Sequence, residues 1–360
     1  MEIFCYVHHS TFNKILVKTM MLLLFLYRNI RREFFMKKIC VLLLSLIIIM
    51  SIIVYFFGTP LGLFFFEKPI YLIKPSPQRF VKDGLYIMNK YGIFSDENDM
   101  PSKEQEYLSR VQGAQNYDET LYVLNEAIKL AGGKHSRMIT IEKKQSTERI
   151  NENLAVYPRS SLENNILTIY LPSAKNFANN QDELSKYIHT SLKDISNAKN
   201  IQGVIIDLRG NHGGDMRPML GAISPFLHDG EIFSFVSKEK ETSVILKSNQ
   251  LIMNGKTIQK FKPSKKKEIP IAVITDNQTS SAAEVVLIAL KGNENVKTFG
   301  QPTMGFATGV TQMPLYDRYY LALASAKIKD LNNNFYSEDP IVPDVITDNP
   351  EKESLQWLLR

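Results

Sequence analysis

With 360 residues, 44% of them hydrophobic, the chain is long enough for one large core or two smaller ones. The balance of 43 Lys and Arg against 37 Asp and Glu looks basic, but seven of those positives (Lys14, Lys18, Arg28, Arg31, Arg32, Lys37, Lys38) and only Glu2 and Glu33 fall within residues 1–38; the 36 and 35 that remain nearly cancel, which removes the charge argument for a nucleic-acid partner. The two cysteines are Cys5 and Cys40, so everything beyond residue 40 does without disulfides, a thiol nucleophile or Cys-ligated zinc.

The first strong element is the apolar run of residues 39–57, broken only by Ser45 and Ser51. At 1.5 Å per residue it makes about 29 Å of helix, close to the ~30 Å hydrocarbon core. The bulky Tyr55-Phe56-Phe57-Gly58-Thr59-Pro60 that ends it offers no small-residue cleavage site. It therefore reads as an uncleaved single-pass anchor, with residues 1–38 as a basic cytoplasmic tail and the chain from about 58 onward outside the cell. Leu22 to Tyr27 is apolar but too short to span, and Met36-Lys37-Lys38 reads as a start of its own, so residues 1–35 are expected to contribute little.

Residues 58–131 read as a stalk (61–71) followed by a small helical bundle, with helices at 76–91, 102–112 and 117–131; the last stops at Gly132-Gly133. From 132 onward the pattern changes. Strands are expected at 165–171, 203–208, 269–275, 296–300, 319–328 and 345–346, with helices at 182–196, 216–227 and from Ser281 through Leu290. A hairpin at 233–236 and 242–246 lies in a lysine-rich insertion, 229–267. The fold class is α/β: a mixed α/β core at 132–360 with a β-rich insertion, preceded by the bundle and one transmembrane helix.

Chemistry concentrates in three places. Thr279-Ser280-Ser281-Ala282-Ala283-Glu284 joins a buried strand to a helix. A serine there meets outward N–H groups and the positive end of a helix dipole, which suit an alkoxide and the oxyanion it makes; Ser281 with Glu284 is also the capping-box spacing. Asp207-Leu208-Arg209-Gly210-Asn211-His212-Gly213-Gly214-Asp215 runs from a strand into paired glycines that can offer backbone N–H groups to an anion, but it lacks the Lys and Ser/Thr of a P-loop. Gly132-Gly133-Lys134-His135-Ser136 supplies a histidine. Of six histidines, His8 and His9 precede the anchor, His189 lies in a polar helix and His228 beside a turn; His135 and His212 both flank glycine pairs, and either could serve as a general base. No H-E-x-x-H or comparable spacing points to a metal.

The pairing of Asp207-Leu208-Arg209-Gly210-Asn211-x-Gly213-Gly214 with Thr279–Glu284 resembles the C-terminal processing, or tail-specific, serine proteases. With the single anchor, Pro75-Ser76-Pro77-Gln78, Ala131–Ser136 and Pro343-Asp344, the chain looks more closely like the nisin resistance branch of that family. The resemblance implies a protease core with Ser281 as nucleophile, His135 as base, and an oxyanion hole of Ala282 with Gly213 or Gly214. Glu338 and Asp339 are the candidates for an acid that orients the base, and Glu284 is expected to cap its helix. Members using a Ser–Lys pair carry their lysine just after a glycine-bounded segment like Gly300–Gly305; here that residue is Phe306, which leaves a Ser–His mechanism. There is no room for the PDZ module of the classical members.

What the resemblance implies is a cell-membrane, single-pass serine peptidase with its catalytic domain outside, clipping the C-terminal tail from lantibiotic peptides such as nisin and so conferring resistance. The insertion at 229–267 would cap the peptide channel, and no cofactor is needed. Processing of the cell's own exported proteins, or non-catalytic sequestering of the lantibiotic, are the alternatives.

Overall fold

The computed structural model describes residues 3–141, 156–175 and 180–360. Contacts divide the chain into two units, Met1–Lys74 and Pro75–Arg360. The first holds α1 (Ile3–Phe66). Within it Phe35–Phe66 is, by length and composition, apolar enough to cross a membrane. The helix runs on past residue 57 and through Pro60, so the first residues of the expected stalk are helical.

The second unit opens with α2 (Pro77–Tyr91), where the Ser76 hydroxyl accepts the Arg79 N–H and Pro77 fills the first turn. Next come α3 (Met100–Arg110) and, after a short 3₁₀ turn at Asp118–Thr120, α4 (Leu121–Gly132). Val123, Leu124, Ala127, Ile128 and Ala131 form the buried stripe of α4, the spacing of one helix face. Gly133, at φ +72°, ends it: a side chain there would adopt a left-handed conformation and collide with the Glu338 carboxylate. The chain then turns through His135 into β1 (Arg137–Thr140).

Then follow β2 (Arg159–Glu163), β3 (Ile166–Tyr170), α5 (Gln181–Asn197), β4 (Gly203–Asp207) and α6 (Met216–Ala222). A meander comes next, β5 (Gly230–Ser237), β6 (Glu241–Lys247), β7 (Gln250–Met253) and β8 (Lys256–Lys260). The chain closes with β9 (Ile271–Thr275), α7 (Ala282–Lys291), β10 (Val296–Gly300), β11 (Thr308–Tyr316), β12 (Tyr319–Lys329), β13 (Phe335–Tyr336), β14 (Val345–Ile346) and α8 (Pro350–Leu358).

Two sheets result. One has the order β14-β10-β9-β4-β3-β2, parallel throughout except for the antiparallel edge strand β2. Every residue of β4 and β9 is buried, which is why these strands read as unbroken apolar runs: helices cover both faces. On one face Ile205, Ala272, Ile274 and Phe299 meet Leu358 of α8; on the other Val204, Ile206, Ile271 and Val273 join the main core with α5, α6 and α7. The second sheet is antiparallel, β1-β12-β5-β6-β7-β8, with β11 and β13 also on β12.

The differences from the sequence reading have local causes. The helix expected at 216–227 stops at Ala222 and gives way to a 3₁₀ turn at Ser224–Phe226, because Pro225 has no N–H to continue it. The hairpin of the insertion is a four-strand meander, closed by the positive-φ pairs Ser248-Asn249 and Asn254-Gly255 that type I′ turns need. Strands β1, β2 and β11 carry no clean alternation; β2 is a largely exposed edge, and β11 is interrupted by register shifts after Gly309 and Pro314.

Candidate active site

The site is built where the adjacent parallel strands β4 and β9 end, the position at which open α/β sheets present their chemistry. The two loops leaving these strands are stitched together. The Asp276 carboxylate accepts the N–H groups of Gln278 and Thr279 in its own loop and of Gly210 in the other, the last at 3.0 Å. The Thr279 hydroxyl donates to the Leu208 carbonyl at 2.9 Å, and the Ser280 N–H to the Asn211 carbonyl at 3.0 Å. Ser280 is buried in this seam, which leaves Ser281 at the mouth.

Ser281 has φ +56° and ψ −119°. A non-glycine residue held there costs about 1–3 kcal/mol and persists only where the surroundings impose it. The strand-to-helix turn is the nucleophile-elbow arrangement, which lifts a hydroxyl clear of the backbone. The Ser281 Oγ lies 3.5 Å from His135 Nε2. That is the outer edge of hydrogen-bond reach, and such pairs tighten when substrate closes around them.

His135 is presented by the turn between α4 and β1, and two groups hold its ring. Thr308 Oγ1, at the start of β11, lies 2.7 Å from Nδ1. Phe306 packs edge-on, with ring centroids 5.2 Å apart. Thus the residue found in place of a catalytic lysine is an apolar ring packed against the histidine. Burial, with the positive charges of Arg137, Lys129 and Lys134 behind it, lowers the His135 pKa to about 4. The Lys134 ammonium is committed to the carbonyls of Met304 (3.1 Å) and Glu338 (2.8 Å).

The remaining expected residues are placed as follows. His212 is exposed, with its N–H on the Ser173 hydroxyl, and does not form the pair with Ser281. Among the described residues no hydrogen bond joins either candidate acid to the ring. The Glu338 carboxylate accepts the Lys134 N–H, Asp339 is exposed, and the neutral Thr308 occupies the Nδ1 side. The sequence reading missed Thr308: a lone threonine opening an irregular strand carries no motif signal.

Among the glycines, Gly213 lies against the elbow, and a Cβ built there would stand 2.8 Å from both the Ala282 nitrogen and the Ser281 Cβ. Its N–H is taken by the Asn211 side chain at 2.8 Å, while Asn211, fully buried, donates its amide to the Leu171 carbonyl at 2.7 Å. Among the described residues no hydrogen bond uses the N–H of Gly214 or Ala282. Gly214 has φ +121°, and a Cβ there would lie 2.3 Å from the Ala174 carbonyl oxygen. Gly214→Ala is therefore expected to push this backbone away from Ala174 and, on the reading that its N–H receives an oxyanion, to lower kcat by up to the roughly 10²–10³-fold that removing an oxyanion donor costs. Steady-state kinetics beside thermal unfolding checks it; unchanged kcat would remove Gly214 from the site.

The model of peptidase family S41 matches residues 165–347. The nisin-resistance protein of Lactococcus lactis subsp. lactis is 35% identical over 290 residues, covering 80% of this chain and 89% of that protein. The chain belongs to peptidase family S41. This S41 peptidase is a serine peptidase, and its likeness to the nisin resistance branch, first carried by the motifs, extends along most of its length. The carboxy-terminal processing protease CtpA of Bacillus subtilis (strain 168) is 24% identical over 241 residues, which are 65% of this chain and 48% of that one. Among solved structures, a lipoprotein from Streptococcus agalactiae superposes with a TM-score of 0.68 at 30% identity, covering 81% of this chain and 98% of that one. The photosystem II D1 C-terminal processing protease gives 0.55 at 12% identity, covering 77% and 94%, and shares the mixed α/β fold.

Proposed function

We propose that this S41 peptidase is anchored in the cell membrane by its N-terminal helix, faces outward, and removes the C-terminal tail of lantibiotic peptides such as nisin through a Ser281–His135 acyl-enzyme mechanism. The observation that carries the mechanism is the 3.5 Å approach of the two side chains across an elbow whose serine is held in a strained conformation. The substrate reading is supported by the nisin-resistance relative, whose similarity covers 80% of this chain and 89% of that protein. The location is supported by the apolar stretch Phe35–Phe66, in which residues 39–57 would span and residues 1–38 stay inside.

In this reading the Thr308 hydroxyl accepts the Nδ1–H proton and so leaves the Nε2 lone pair facing Ser281. His135 takes the hydroxyl proton as Ser281 attacks the scissile carbonyl. The N–H groups of Ala282 and Gly214 receive the oxyanion, since that of Gly213 is already committed to Asn211. His135 then protonates the leaving amine, and a water repeats the sequence on the acyl-serine. The β5–β8 meander of residues 229–267 would cap the channel in which the tail lies.

The test incubates the full-length chain in detergent with nisin, beside a Ser281→Ala copy, and weighs the products. A nisin shortened at its C-terminus by the intact chain alone is expected. If nisin stays whole while an unstructured test protein is cleaved in a Ser281-dependent way, the lantibiotic reading fails and processing of exported proteins replaces it.

A further inference from the structure

We propose that Glu284 is a positioning residue that sets the distance between nucleophile and base, a role that rests on the Ser–His reading and goes beyond capping a helix. In a capping box the glutamate side chain contributes one hydrogen bond, accepted from the N-cap N–H. That bond is present, with Ser281 N–H donating to Glu284 Oε2 at 2.8 Å. Three further donors converge on the same carboxylate, and all three come from another part of the chain. Phe306 N–H donates to Oε2 at 2.7 Å, Gly305 N–H to Oε1 at 2.9 Å, and the Thr303 hydroxyl to Oε1 at 2.5 Å.

The segment so captured is the one that holds the histidine. Phe306 packs on the His135 ring, and Thr308, two residues on, takes Nδ1. Ser281 and His135 stand 146 residues apart in sequence, on elements with no covalent reason to meet at a given distance. Glu284 closes that gap in two steps: carboxylate to elbow on one side, carboxylate to the 303–308 segment and thence to the ring on the other. The segment is fastened nearby as well, since Met304 N–H donates to the Thr279 carbonyl at 2.9 Å and Thr303 Oγ1 accepts from Ile341 N–H at 2.9 Å. Of the groups among the described residues that fasten this segment, however, the carboxylate is the one that also takes the Ser281 N–H.

The chemistry of the group fits this task. Glu284 is fully buried, and burial raises its pKa while the four donors pull the other way. A carboxylate is acceptor-only, with two lone-pair sites on each oxygen, and here both oxygens carry two donors each. A buried charge saturated in this way is both tolerable and stiff. It also consumes the Ser281 N–H, which keeps that group out of the oxyanion hole.

Glu284→Gln separates the two roles, because glutamine is itself a capping-box residue and its single oxygen still accepts the Ser281 N–H. Its NH₂, in contrast, must face two of the remaining donors. In the full-length chain, Glu284→Gln is expected to lower kcat about 10–100-fold with KM within about twofold of wild type, and to slow labelling of Ser281 by a small fluorophosphonate by the same factor. Near-wild-type kcat and labelling, whatever the change in melting temperature, would leave only a cap and overturn the proposal. Should the glutamine variant fail to fold, Thr303→Val removes one donor from the far side; an unchanged kcat there overturns it equally. Ser281→Ala and His135→Ala run in the same labelling assay separate a failure of the Ser–His reading, in which His135→Ala would label normally, from a failure of the role given to Glu284.

Discussion

Ser281→Ala and His135→Ala are each expected to lower kcat for peptide hydrolysis by about 10⁵–10⁶-fold, and the double variant to be no slower than either. The reason is that in the proposed mechanism neither group does the chemistry alone. Without the imidazole the hydroxyl stays protonated, and without the hydroxyl the imidazole, 3.5 Å away, has nothing to activate. A double-mutant cycle on purified full-length chain measures this, and losses that simply multiplied would show that the two residues act in separate steps. The elbow adds an independent readout. Because Ser281 sits at φ +56°, ψ −119°, Ser281→Gly relieves strain that Ser281→Ala retains, so the inactive glycine variant should melt at a higher temperature than the inactive alanine one. Equal melting temperatures would place the strain elsewhere.

Activity is expected to persist to unusually low pH. In the proposed mechanism the working form of His135 is the neutral imidazole, and its pKa is lowered from 6.5 to about 4, so the base would stay available until the pH falls through about 4. At pH 5 an unshifted histidine would be about 3% neutral, whereas this one is roughly 90% neutral, a difference of about thirtyfold in kcat/KM. Burial comes first, with the neutral Phe306 and Thr308 packed on the ring, and then the positive charges of Arg137 from β1, Lys129 from the last turn of α4 and Lys134 from the turn after it. Stability follows the same sign. A histidine held neutral in the fold but free to protonate when unfolded contributes fully above pH 6.5, and that contribution is lost as the pH falls toward 4. The pH dependence of kcat/KM decides the matter: an acid limb near 6.5 would mean that the ring is solvated at work. Arg137→Gln should raise the limb, since it removes a positive charge that disfavours the imidazolium.

How much of this was legible beforehand varies with the range of the contacts involved. The strands ending at Asp207 and Thr275 were plain because both faces of each are buried, which forces an apolar run. The stop of α4 was plain because only glycine accepts the conformation at residue 133. Strands β1 and β11 were not, because they gain their identity from pairing with β12, far away in sequence, and not from any alternation of their own. In the insertion only the hairpin was read, although Asn254-Gly255 was a turn signal of the strongest kind.

The sequence by itself determined the family, the residue types at the elbow and the glycine turn, and the absence of a lysine at position 306. Those are local facts, written in short runs whose spacing is set by one turn or one strand end. The residues alone left His135 and His212 open and the resemblance favoured His135; the tertiary structure is what puts His135 beside Ser281, a threonine and not Glu338 or Asp339 at its other nitrogen, and the Gly213 N–H on Asn211 while that of Gly214 stays open among the described residues. It also decided that the carboxylate of Glu284 reaches a segment 19 to 22 residues further on. Each of these depends on how the loops beyond two sheets come together, and burial leaves no periodic trace in a sequence where the contact is a single hydrogen bond between distant residues.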